Sequence, residues 1–158
     1  MIDLVFTLKL VHVLGGAVLF GTGLGIAFFM LMAHRTRDAA AIAATARIVV
    51  IADAIFTAGA VIVQPVSGAL LAWTMGYSLL EPWILVSLAL FVIVGLCWLP
   101  VVWIQLQLRD IAGYAARQGA ALPAGYFALF RVWFWLGWPA FGGVIAIFAL
   151  MIWKPRLW

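Results

Sequence analysis

Charge is what this chain most lacks. Charged side chains make up 9% of its 158 residues, while hydrophobic ones make up 68%. A water-soluble domain carries roughly 25% charged residues, so a soluble globular enzyme is excluded. Cysteine is scarce too: Cys97 stands alone inside an apolar run. One cysteine excludes an intrachain disulfide and every multi-cysteine metal motif. No P-loop, dinucleotide fingerprint, zinc spacing or nucleophile elbow occurs, and no internal repeat or low-complexity tract. The formal net charge of +4 does not gather into a basic patch, which argues against a nucleic-acid partner. The basic residues fall between or at the ends of apolar runs, where they set topology and meet anionic lipid.

What the chain has in abundance is long apolar runs. Four stand out, at about 4–32, 47–74, 82–107 and 127–153. A helix needs about 20 apolar residues to span a bilayer, and each run exceeds that. Hydrocarbon offers backbone groups no partner, so helices are the expected form. The reading is an all-α integral membrane four-helix bundle, a single transmembrane domain over 1–158. The start, Met1-Ile2-Asp3-Leu4, lacks the basic region of a cleaved leader, and the first run is too long for a signal core. Segment 33–46 ends in an alanine-rich stretch expected to be helical and continuous with the second span. The link at 75–81 is short enough for a tight hairpin.

Arg35, Arg37, Arg47, Arg109, Arg117 and Arg131 cluster at the first and third connections; Lys154 and Arg156 lie at the other end, with Lys9 just inside the first span. Basic residues mark the cytoplasmic side. Both termini are therefore expected on the outer, periplasmic side of a multi-pass protein in a bacterial inner membrane. The lipid bilayer is its constant partner, and homo-oligomers are open to it through glycine-lined helix faces.

Ionisable groups inside a span are costly and draw attention as functional candidates. In the first span Lys9, His12, Gly16, Gly23 and Ala27 share one face at helical spacing, and Gly15 flanks it. A histidine on a stripe of small residues either meets a polar group on a neighbouring helix or holds a flat ligand, and neutral imidazole is a common axial ligand of haem iron. Lys9 either snorkels to the interface or meets an anionic group such as a propionate. In the second span Asp53, Thr57, Ala60, Gln64 and Ser67 form a polar stripe expected to face inward, with Pro65 kinking the helix near Val61. Asp53 and Arg131 reach similar depth and are expected to form an ion pair, since either alone in low dielectric is costly. The third span, the least polar, is expected to be the most lipid-exposed.

Leu8-Lys9-Leu10-Val11-His12, followed by a glycine-bearing apolar run and His34, resembles the start of small bacterial membrane proteins of four or five helices. Together with Gln64-Pro65-Val66-Ser67-Gly68 and Leu136-Gly137-Trp138-Pro139-Ala140-Phe141, it resembles a family of predicted integral membrane proteins of unknown function. More distantly, the Leu-Lys-x-x-His start is similar to HemJ-type protoporphyrinogen oxidases and CopD-type copper-resistance membrane proteins. The HemJ likeness implies haem b in a helical bundle, with His12 as a ligand and Lys9 as its neighbour in the motif.

Two functions follow. In one, the chain is a redox-related membrane protein binding haem or porphyrin through His12, with Lys9, Gly16 and Gln64 around the ring. In the other it is a non-catalytic membrane component, an accessory subunit or an oligomeric transporter or channel, whose polar residues lock the bundle or line a path.

Overall fold

A computed structural model describes residues 2–157. It holds five α-helices: α1 (Ile2–Thr36), α2 (Ala39–Ala52), α3 (Ala58–Thr74), α4 (Pro82–Gln118) and α5 (Ala124–Trp153). A π turn at Asp53–Thr57 joins α2 to α3 into one spanning unit. The four spans thus run longer than the apolar runs alone indicate. At 37 residues, α4 is roughly 55 Å long at about 1.5 Å per residue, against a hydrocarbon core of about 30 Å. Its last turns, carrying Arg109, Asp110 and Arg117, extend beyond that core.

Local chemistry sets the ends. Arg37 adopts a positive φ of 58° and breaks α1. Asp38 then caps α2 by accepting from the Ala40 N–H at 2.8 Å, satisfying a donor that the helix leaves free. The alanine-rich stretch is helical and continuous with the second span, as its composition indicates. Pro82 occupies the first turn of α4, where a missing N–H is harmless. Gly119, at φ 60°, ends α4, with Ala120 N–H reaching back to the Ala115 carbonyl at 3.0 Å in the manner of a Schellman cap.

Packing is uneven along the bundle axis. At the arginine-rich end α1, α2, α4 and α5 close on a solid core containing Met30, Ile42, Ala46, Leu108, Ala112, Tyr126 and Phe130. Alanines on α2 and α4 let the backbones approach, which in lipid is the main source of helix association. Toward the hairpin end the bundle separates into two halves. There α3 lies against α1 while α4 pairs with α5, and α1 meets α5 at few points. A second small cluster, Ala72, Trp83 and Ile84, closes the hairpin end, and Lys154 Nζ lies 3.2 Å from Tyr77 Oη. Since α4 packs against both α2 and α5, the third span is no outlying lipid-facing helix. The most apolar stretch of α5 is the least covered of the four spans.

Ala46 is fully buried. Ala46→Phe is expected to overpack this core and destabilise the protein by about 1–3 kcal/mol, lowering its melting point in detergent. Ile48→Phe, on the exposed face of the same helix, should leave the melting point within a degree or two, because surface changes shift stability by about 0.5 kcal/mol or less.

Candidate functional site

The second span changes its winding where its polar stripe begins. Between Asp53 and Thr57 the helix widens by one residue, so that the Ala58 N–H bonds to the Asp53 carbonyl. Such π bulges gather at functional sites because they turn side chains off the regular face. Here the turn directs both Asp53 and Thr57 into the bundle, where each is buried. Pro65 lies inside α3, eight residues after the turn's end.

Asp53 does not pair with Arg131. Its Oδ1 accepts a hydrogen bond from the Trp98 indole N–H at 3.2 Å. Among the described residues the one ion pair joins Arg109 to Asp110 on the surface. Arg131 is exposed on α5, on the same stripe as Trp135 and Trp138, which are exposed too. That whole stripe therefore faces lipid and headgroups. Depth along a helix brought Asp53 and Arg131 level, but the rotation of α5 points Tyr126, Phe130 and Trp133 inward in place of Arg131.

Beyond the π turn, where the halves of the bundle part, lies a cavity of about 570 Å³. Its wall is mostly apolar, built from α1, α3, α4 and α5, with small residues such as Gly16, Gly95, Gly137 and Ala140, and Gln64 of α3 also lines it. Its floor is not apolar. Asp53, Thr57, Gln105 and Trp133 all line it, and all are between 1% and 6% exposed. Asp53 Oδ2, Thr57 Oγ1, Gln105 Oε1 and Trp133 Nε1 are buried without a hydrogen-bond partner, and among the described residues no other buried side-chain atom is in that condition. Four orphaned polar atoms on one cavity floor form a concentrated unmet demand, since each unpaired group costs about 1–3 kcal/mol. The cavity is half open. Leu24 and Phe28 on α1 and Trp138 and Ile145 on α5 belong to its lining yet are each more than half exposed. The mouth therefore lies between α1 and α5, toward the bilayer.

His12 and Gln64 are brought together, but in a lock between α1 and α3. Gln64 Nε2 donates to the His12 carbonyl at 2.8 Å. His12 Nδ1 lies 2.9 Å from Ser67 Oγ, and Ser67 donates its own hydrogen to the Val63 carbonyl at 2.6 Å. A hydroxyl has one hydrogen to give; with it on the Val63 carbonyl, the arrangement is completed by His12 donating from Nδ1, which leaves the lone pair on Nε2. Two glycines make room: a Cβ at Gly15 would collide with Gln64 Nε2, and one at Gly68 would stand 3.0 Å from the His12 ring. Gly16 faces the Phe148 ring and Gly23 faces Phe141, so these glycines receive α5 side chains. Lys9 is exposed and takes no part in the lock.

Haem can be tested against these residues. The oriented Nδ1–H of His12 resembles that of a ligating histidine, whose second nitrogen is usually held by a neighbour. The fit stops there. The 570 Å³ cavity is not lined by His12; the His12 ring lies against Ser67 and Gly68. No histidine faces the cavity, and no group of three or more His, Cys, Asp or Glu that could hold a metal occurs among the described residues. His34 is packed elsewhere, stacked on Phe130 at 3.6 Å and 3.3 Å from Tyr126 Oη.

Sequence reading missed Trp98, Gln105 and Trp133 as members of the site. Gln105 gave a signal, as an amide near the inner end of an apolar run. The tryptophans gave none beyond the rule that a buried indole N–H seeks a partner.

Four apolar spans around a polar-floored cavity define a multi-pass integral membrane protein of the helical-bundle class. The chain belongs to the family described as predicted integral membrane protein (DUF2269), whose model matches residues 6–155. No curated protein and no solved structure matches the chain. The HemJ and CopD likeness of the first helix gains no support from these comparisons.

Gly15→Ala is expected to push Gln64 out of the lock and lower stability by about 1–3 kcal/mol. In the double variant Gly15→Ala/Gln64→Ala the clash disappears, so its loss should be smaller than the sum of the two single losses. Thermal unfolding of the four proteins in one detergent measures this; strict additivity would contradict the lock.

Proposed function

We propose that the protein is a non-catalytic membrane component that binds a lipid-soluble guest, drawn sideways from the bilayer into the cavity between α1 and α5. One observation carries this reading: the orphaned buried side-chain atoms share the floor of one half-open apolar cavity. A pocket with apolar walls and a few convergent polar groups is the common form of a small-molecule site. Ordered water is the rival occupant of the polar end, since water needs two to four polar partners apiece, but the apolar remainder of the lining suits a hydrocarbon guest. An accessory subunit or transporter is consistent with such a site. The arginine-rich end would face the cytoplasm of a bacterial cell, and the termini the periplasm. Gly21 and Gly25 face outward with nothing within 4 Å, which leaves that face of α1 available to a second copy.

The other reading, a redox-related protein holding haem b through His12, draws on the free lone pair at Nε2 and on the likeness of the first helix. A Soret band in protein from haem-supplied cells, abolished by His12→Ala, would favour it over the guest-binding account.

Native mass spectrometry of the protein released from lipid nanodiscs is expected to show a small-molecule adduct at about one per chain. Ala140→Trp, which fills part of the cavity from α5, should remove the adduct while leaving the helical circular-dichroism spectrum unchanged. Bare chain mass for both proteins would count against guest binding.

A further inference from the structure

The chemistry of the cavity floor narrows the guest. This step rests on the guest-binding reading above and names the head group that would complete the site. Asp53 Oδ2 and Gln105 Oε1 are acceptors, the Thr57 hydroxyl can give or receive, and Trp133 Nε1–H is a donor with no acceptor role. All four atoms are buried without a hydrogen bond of good geometry, the Thr57 hydroxyl lying next to the Asp53 carboxyl. Charge narrows the choice further. Asp53 is the one ionisable side chain among the described residues lining the cavity, and no lysine, arginine or histidine joins it there. Arg131 is exposed on α5 and Arg47 on α2, with Arg47 Nε directed to the Ala43 carbonyl. The Asp53 carboxyl therefore has the Trp98 N–H and the neighbouring Thr57 hydroxyl, and no basic side chain beside it.

Each class of head group can be checked against that inventory. A carboxylate or phosphate brings like charge to Asp53 and finds, among the four atoms, only the Trp133 N–H and the Thr57 hydroxyl able to donate to it. A plain alcohol gives one hydrogen and leaves at least one acceptor unmet. A primary ammonium gives three N–H donors, enough for Asp53 Oδ2, Gln105 Oε1 and Thr57 Oγ1, and supplies the missing positive charge. It leaves one atom unserved, because an ammonium has no lone pair for the Trp133 N–H. A hydroxyl next to the ammonium provides that lone pair. The apolar remainder of the wall, including Leu24, Phe28 and Ile145 at the mouth, suits a hydrocarbon tail running back to the bilayer. The geometry points to a long-chain amino alcohol, a single-tailed amphiphile with a protonated primary amine beside a hydroxyl, as the class of guest this cavity takes. Its ammonium rests on Asp53 and Gln105, its hydroxyl accepts from Trp133, and its tail fills the space between α1 and α5.

Equilibrium binding of tritiated 2-aminododecan-1-ol to the protein in phosphatidylcholine nanodiscs tests this, with unlabelled dodecylamine, dodecan-1-ol and dodecanoate as competitors. Zwitterionic lipid removes the general attraction of a cation to an anionic surface. The amino alcohol is expected to bind at one per chain and at least about tenfold more tightly than dodecan-1-ol, as hydrogen bonds to a charged group imply, with dodecanoate weakest. Asp53→Asn should cut amino-alcohol affinity about tenfold. Trp133→Phe, which keeps an aromatic ring and deletes the N–H, should narrow the gap between the amino alcohol and dodecylamine. Either variant suffices should the other fail to fold by circular dichroism. Equal affinity for amine, alcohol and carboxylate, or unchanged preference in both variants, would overturn the head-group assignment and leave guest binding standing. Absence of saturable binding by all four probes would overturn both.

Discussion

A polar atom inside a hydrocarbon layer finds its partner within the protein or in something the protein holds. That constraint orders nearly every feature of this chain. Where side chains are small and apolar, at the arginine-rich end, the helices close completely and no question arises. Where polar side chains enter the bundle they are handled in two ways. His12, Gln64 and Ser67 satisfy one another across α1 and α3, with Gly15 and Gly68 cut away to admit them. Asp53, Thr57, Gln105 and Trp133 are left partly unmet around a space. A lock and a site are thus built from the same kinds of residue, and what separates them is whether the inventory of donors and acceptors closes.

The π turn links these two regions. It holds one extra residue where the tightly packed α2 gives way to α3. On one side of it the second span packs into the core between α1 and α4; on the other it follows α1 away from the α4–α5 pair. The cavity is the space left by that divergence. A regular helix through Asp53–Thr57 would turn the following residues by about 100° and carry Gln64 and Ser67 away from α1. The winding defect is therefore tied to the lock as well as to the cavity.

Much of this was legible in the amino-acid order. The four spans follow from runs of apolar residues, although the helices continue past them because alanine and arginine turns, such as 39–46 and 108–118, are good helix formers outside hydrocarbon as well. That the residues from Asp53 to Ser67 turn into the bundle follows from spacings of three and four, but the π turn divides them, Asp53 meeting Trp98 on α4 while Gln64 and Ser67 meet α1. The π turn left no trace, since Asp-Ala-Ile-Phe-Thr has no unusual composition and the defect is imposed by packing. The Asp53–Arg131 pair failed for a related reason. Position along a helix can be counted from its end, but rotation about the helix axis depends on which stripe of α5 the neighbours accept. Trp98 and Trp133 read as packing or interface anchors because an indole is mostly apolar surface; their single N–H groups gain meaning once they stand next to Asp53 and Gln105.

The account stands or falls on what occupies the space above Asp53. A cryo-EM or crystal structure of the protein in a lipid nanodisc or lipidic phase measures this directly. Elongated non-protein density is expected to run from the mouth between α1 and α5 to the floor, ending within hydrogen-bond distance of Asp53 Oδ2 and Trp133 Nε1. Helices α1 and α5 closed on each other, or discrete water peaks alone against the four floor residues, would contradict it.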